Sequence, residues 1–418
     1  MTRYAILALC LSLVGSTAQA VSPNPQDLLI PSGELLRAKG LIAMLGSAAY
    51  QDRESGEREL AKMGRLAGPI LRDAVHGHQD PEVRLRAARL LTKSEADDLK
   101  ARTETFLADM DGRYEHSMPG WAAFRKVSGV DYELLGLKLG MNVDSSKQAR
   151  ELFVAMLKSK SATTLLTAIE AGGGDLSKAA GDMRYQMFIE MNPGVFGQMQ
   201  VSGSQPKHPS LAEFTTLLCA ESLLEGKTNA RVRQHPLIAT STFLMSSNVV
   251  GAMQGKGAYS GIFRRILGQW FQKLTDVNEL QQSVHMVIQY NIKEAMPAIR
   301  RSVTIAGTPI HLRAQAIGAL AKLGGKDELP TLRKLVSDET TIQPNRFPNQ
   351  MGLQVRDVAL AMCVIVSGQD VKTYGYEIQQ PLNDNNRYQY WTFAFRTPEK
   401  RAEALKKWED WEKAQIKK

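Results

Sequence analysis

The only close histidine pair in this 418-residue chain is His76-Gly77-His78, two side chains of a metal-ligating type. Helix-borne metal ligands usually stand four apart with a carboxylate in support. Here the pair is two apart, just ahead of Asp80 and Glu82. It reads as a polar helix end, where histidine suits the helix dipole. Asp109-Met110-Asp111-Gly112 opens like a calcium loop but lacks the third acid before the glycine and the later Glu. Gly226-Lys227-Thr228 ends like a phosphate loop, yet Ser222 stands where its first glycine belongs, so no cradle of N–H groups is expected. Gly255, Gly257 and Gly261 follow no strand pattern, as a dinucleotide fingerprint must. No Gly-x-Ser-x-Gly elbow occurs, and His116 has no Ser or Cys partner in sequence. No catalytic, cofactor-binding or metal-binding set is predicted.

Cationic chemistry is better represented. Arg72, Arg300 and Arg333 each stand three residues after a proline, with Arg301 and Lys334 beside two of them. Spaced guanidinium groups can hold an acidic polymer or an acidic protein surface. The same pattern suits a solvated helix face, or stems that cover apolar neighbours. Arg72, Arg300, Arg301, Arg333 and Lys334 are therefore the candidate partner-binding residues. Two aromatic pairs, Trp121 with Phe124 and Trp408 with Trp411, share helix faces at i, i+3. They suit either a partner or glycan anchor, or core packing and docking of a tail helix.

What positions these residues is a repeat. Arg53, Gly56 and Leu60 are followed by Pro69, Leu71, Arg72 and Val75; Arg313, Ala316 and Leu320 are followed by Pro330, Leu332, Arg333 and Val336. The Arg-to-Pro spacing is 16 residues in the first copy and 17 in the second. The opening recurs as Arg84, Ala87, Leu91 and as Arg356, Ala359, Cys363. Pro297, Ile299, Arg300 and Val303 form a half-copy, with Leu280 where its Arg belongs. Positions i, i+3 and i+7 share a helix face, so the small residue and the Leu face inward. The small residue admits a neighbouring helix. The proline falls in the first turn of the next helix, where its missing N–H costs nothing. Asp80 before Pro81 predicts an N-cap. One hairpin cannot bury its own apolar stripe, so the units must stack. Arg84, Arg313 and Arg356 are expected to bond backbone or Asp between units.

The Asp80, Val83, Arg84, Ala87, Leu91 pattern and the proline-closed helix pairs resemble HEAT repeats, over about Leu45 to Leu91 and about Val277 to Ser367. The chain is also similar to exported bacterial HEAT-repeat proteins. In those, Pro-Gly-Trp-x-x-Phe precedes an Arg-Glu-Leu-Phe helix, as Pro119 to Phe124 and Arg150 to Phe153 do here, and a Trp-x-x-Trp helix lies near the C-terminus. The resemblance implies an all-α fold, an α-solenoid of HEAT-like hairpins, and brings no reaction with it. The expected organisation is a signal peptide over 1–20, a flexible lead-in over 21–33 and N-terminal repeats over 34–110. An irregular helical middle follows over 111–276, then C-terminal repeats over 277–372 and an extension with an amphipathic helix over 373–418. In the middle, helices are expected at Ser146–Ser159, Ala162–Ala171, Pro209–Glu225 and Tyr259–Leu274, with loops at Gly172-Gly173-Gly174 and Asn192–His208.

Composition supports a folded helical protein: 43% hydrophobic, 23% charged and only 7% aromatic. The net charge of +9 gives no specific nucleic-acid signal. Arg3, the apolar run Tyr4 to Val14 and Ala18-Gln19-Ala20 predict a cleaved export signal, hence a periplasmic or extracellular protein without a later transmembrane segment. Cys219 and Cys363 sit in apolar helical patterns and read as buried thiols, with pairing left open. The expected function is a non-catalytic scaffold that binds another protein. The alternative is a binder of an anionic polymer or envelope surface. A third reading is an enzyme with a deep pocket in the middle region, lined by perturbed acids or His116.

Overall fold

The computed structural model describes residues 24–109, 113–130, 143–172, 175–193, 206–224, 238–305, 307–344, 351–378, 380–384 and 386–416. The predicted signal, Asp111-Gly112 and Gly226-Lys227-Thr228 lie outside the described residues. The fold is all-α apart from one short pair of strands. The chain divides into two compact units, residues 1–116 and 117–418.

The first unit holds α1 (Ser32–Leu45), α2 (Tyr50–Met63), α3 (Gly68–Gly77) and α4 (Pro81–Ala108). Its core includes Ile42, Leu45, Leu60, Leu71, Val83 and Ala87; of the positions the repeat pattern turns inward, Leu60 and Ala87 are fully buried and Leu91 partly so. α2 packs on α1 and α4, and α3 packs on α1 and α4, so the hairpins lie side by side. Gly56 shows why the small residue is needed: a Cβ there would meet the Leu41 carbonyl oxygen at 3.1 Å and the Met44 Cβ at 3.0 Å. Pro69 and Pro81 occupy first turns, and Asp80 caps α4 by accepting the Glu82 N–H at 2.8 Å. The repeat arginines close the preceding turns. Arg53 donates to the Ser47 and Ala48 carbonyls at 2.8 and 3.1 Å, and Arg84 to those of His78 and Gln79 at 2.6 and 2.9 Å.

The second unit begins with α5 (Trp121–Ser128), α6 (Val143–Leu157), α7 (Lys160–Ala171) and α8 (Asp175–Met191). These surround α9 (Leu211–Leu223), which also packs on α11 (Ser260–Lys273). Residues Phe214 to Ser222 of α9 are all buried. A helix buried around its whole circumference is a core helix and cannot belong to a two-faced repeat, which is why no clean repeat is legible here. α10 (Ser247–Met253) leads into α11. Cys219 of α9 is a buried free thiol, as is Cys363 further on; burial pushes both up to about 12.

Repeat order returns with α12 (Val277–Tyr290), α13 (Met296–Thr304), α14 (Ile310–Gly324), α15 (Leu329–Leu335) and α16 (Val355–Val366). α12, α14 and α16 pack in sequence, with α13 against α14 and α15 against α16. Arg313 donates to the Val303 carbonyl at 3.1 Å and pairs with Asp338 at 2.7 Å; Arg356 pairs with Glu339 at 2.6 Å. The repeat arginines thus bond backbone and acids between units, as expected. Between α15 and α16, β1 (Thr341–Gln343) pairs antiparallel with β2 (Leu353–Gln354), a feature the helical pattern did not forecast. The tail helix α17 (Pro398–Ile416) packs on α16. There Arg401 grips Asp357 through two bonds of 2.7 Å, with the side chains only 6% and 1% exposed. Among the described residues no single helix is long and apolar enough to cross a membrane.

Candidate functional site

The cationic candidates are placed as follows. Arg72, in the first unit, pairs with Glu95 of α4 at 2.9 Å. Arg300 of α13 bonds Glu328 through Nε at 2.9 Å, and that carboxylate is buried. Arg333 of α15 pairs with Glu412 of the tail helix at 2.5 Å. Arg301 is half-buried and Lys334 exposed. Each of the three proline-spaced arginines therefore already faces a carboxylate of this chain. The aromatic pairs are structural. Trp121 and Phe124 are buried against Phe153, with centroids 5.0 and 5.4 Å from its ring, and Trp408, 2% exposed, docks the tail helix beside Trp411.

The histidines have local partners. His76 Nδ1 lies 2.8 Å from the Arg72 carbonyl, and His78 Nδ1 accepts the Asp80 N–H at 3.1 Å. His116 meets Asp109 at 2.9 Å, and Asp109 also accepts the N–H groups of Arg113 and Tyr114. The pair ties off the end of α4. Among the described residues no group of three His, Cys, Asp or Glu is placed to hold a metal ion.

A cleft of about 840 Å³ lies in the second unit. Its first wall is the outer face of α12. Asn278, Gln281, Gln282 and His285 stand there at i, i+3, i+4 and i+7, all exposed. The opposite face of α12, with Val284, Val287 and Ile288, is buried, and Asp276 caps the helix by accepting the Glu279 N–H at 2.9 Å. A 3-10 turn, Thr240–Met245, supplies the next wall and leaves Met245 66% exposed. The third element is the segment with Tyr390 and Trp391, the indole being 38% exposed. Gln315 of α14 and Met286 are its buried lining. No Asp, Glu, Lys or Arg lines the cleft among the described residues.

That third element is held by close backbone contact. The Tyr388 carbonyl lies against α14 at Gly318, where a Cβ would stand 1.9 Å from its oxygen. Tyr390 Oη reaches His311 Nδ1 at 3.4 Å.

Behind the 3-10 turn lies a buried acid cluster. Glu221 accepts the Trp270 indole N–H at 2.7 Å and the Thr240 hydroxyl at 2.8 Å, and pairs with Arg184 at 3.1 Å. Glu279 accepts the Ser241 N–H at 3.0 Å, while the Ser241 hydroxyl donates to Gln282 Oε1 at 2.9 Å. Burial, and then the neighbouring Glu221 charge, push the Glu279 carboxyl up to about 7. A perturbed acid beside a second carboxylate is a pattern shared with acid–base sites. Yet the cavity bounded by Arg184, Glu221, Trp270 and Glu279 is only about 30 Å³, room for a water and not for a substrate. The cluster therefore acts as a clamp that fixes the 3-10 turn to α12, and through Ser241 it orients Gln282 in the cleft.

Sequence reading singled out none of the cleft residues. The available signal was an amide stripe at helical spacing on a repeat helix whose outer face carries no Lys or Glu, plus the loop run Tyr388-Gln389-Tyr390-Trp391. No protein-family model matches the chain, and no curated protein and no solved structure matches it either.

Proposed function

We propose that the protein is a non-catalytic scaffold that binds another protein through the α12 cleft. The observation that carries this is the lining. Protein interfaces are enriched in Tyr, Trp and Met and depleted in Lys, Glu and Asp at their centre, and Met-rich surfaces adapt to partners. The cleft combines Met245, Met286, Tyr390 and Trp391 with amides and, among the described residues, carries none of the four strongly charged residue types. A polyanion would find no Lys or Arg there among the described residues. Arg72, Arg300 and Arg333, the alternative anchor for one, are paired internally. The middle-region enzyme reading calls for a deep pocket over 111–276; the perturbed acid, Glu279, lies just beyond those bounds beside a cavity of about 30 Å³. The predicted signal over 1–20 puts the partner outside the cytoplasm.

A photo-crosslinking residue at Met245, introduced in the source cells, tests the proposal. Discrete protein adducts that vanish in a Trp391→Ala background are expected. Adducts no different from those formed through position 399 on the tail helix would refute it.

A further inference from the structure

We infer that the partner enters the cleft as an extended, uncharged polypeptide segment whose main chain pairs with the side-chain amides of α12. This rests on the protein-binding reading above and specifies how the partner is read.

Three observations carry it. The first is spacing. Asn278 and Gln282, and Gln281 and His285, are i, i+4 pairs on the exposed face of α12. Side chains so placed are about 6 Å apart along the helix axis, at 1.5 Å rise per residue. An extended chain presents equivalent peptide groups every second residue, about 6.6 Å apart. The two repeats are close enough for flexible Gln side chains to follow, so alternate peptide units can each meet one side chain. The second is chemistry. A side-chain amide carries both an N–H donor and a carbonyl acceptor, the same pair that a peptide unit offers, so an amide stripe can satisfy a main chain whatever its sequence. Gln282 is already oriented for this. Its Oε1 takes the Ser241 hydroxyl, which turns its NH₂ group into a donor for a partner carbonyl.

The third is the absence of strong charge. Burying a partner carboxylate or ammonium with no counter-ion is costly, and no Asp, Glu, Lys or Arg lines the cleft among the described residues. Successive side chains of an extended segment point to opposite sides. Met245 and Trp391, contributed by different elements, are 66% and 38% exposed and offer apolar surface to side chains on the segment.

The test uses the full chain and a phage-displayed library of random linear peptides. Panning on wild-type protein, with counter-selection on Trp391→Ala, should enrich peptides with an uncharged central run. A synthetic copy should lose about tenfold or more in affinity against a Gln281→Met, Gln282→Met variant, since two hydrogen-bonding groups are gone. N-methylation of alternate peptide nitrogens should weaken binding to the unaltered protein by a similar factor, and methylation of the intervening ones should not. Peptides that depend on Trp391 but tolerate both changes, or that carry charges in the central run, would overturn main-chain reading and leave the cleft as a protein site. Failure to recover any Trp391-dependent peptide would overturn both. So would capture of a neutral saccharide probe, chitohexaose, in the same cleft with no peptide bound.

Discussion

Glu279 is the residue whose titration shapes stability. Its carboxyl is pushed up to about 7 from an ordinary 4.5, so the folded protein holds its proton more tightly than the unfolded chain does. The sign follows from linkage. Stability tied to this proton is fully present below about pH 4.5 and is lost as pH rises through about 7. A shift of this size corresponds to about 3 kcal/mol at most. Glu279→Gln keeps an acceptor for the Ser241 N–H and removes the titration. The variant should match wild-type stability near pH 4 and exceed it by about 1–3 kcal/mol at pH 8. Equal stabilities at pH 8, measured by urea unfolding followed through tryptophan fluorescence, would show that the carboxyl is not strained. A second residue-scale consequence concerns Arg401. Removing it by Arg401→Met strands the Asp357 carboxylate, which is 1% exposed. Breaking a buried pair in this way costs about 3–5 kcal/mol, and hydrogen exchange of α16 and α17 should rise. A loss below about 1 kcal/mol would mean that Trp408 and its neighbours dock the tail unaided. The repeat arginines at this scale were legible in sequence, because one residue type recurred at one spacing. The acid cluster was not. Glu221, Glu279 and Arg184 are scattered along the chain, and only tertiary packing brings them together.

Among the elements, four helices of the middle region were the readable ones. α6, α7, α9 and α11 fall within a few residues of their expected bounds, since end signals fix a helix to about that precision. α8 and the β1–β2 pair were missed. α8 contains Gly181 and Asp182 within its run, and the strands are only three and two residues long, too short for a period to show. The element that matters most for the site is the Tyr388–Trp391 segment, and its placement turns on Gly318. Gly318→Ala should favour α14 itself by about 0.5–1 kcal/mol, because Ala is the better helix former. It must also displace the Tyr388 carbonyl, which would lie 1.9 Å from the new Cβ. Circular dichroism should therefore show an intact fold while affinity for the selected peptides falls about tenfold. Unchanged affinity would mean that Tyr390 and Trp391 do not shape the cleft.

At the scale of the whole molecule, contacts group the chain into residues 1–116 and 117–418. Residues 117–418 form one compact unit, and the core helix α9 belongs to the same body as the repeats from α12 onward. Composition along the chain could not reveal this, because a boundary is a matter of which contacts are made. It has a consequence for function. Every cleft residue, and every member of the acid cluster behind it, lies between positions 184 and 391, wholly inside the second unit. The first unit has its own core, from Ala38 to Ala87. A fragment spanning 117–418 should therefore fold and bind the selected peptides with an affinity within about threefold of the full chain, a difference below 1 kcal/mol. Isothermal titration against both proteins decides the matter. A fragment that folds, by its near-ultraviolet dichroism, yet binds much more weakly would mean that the first unit contributes to recognition, and the cleft would then be one part of a longer binding surface.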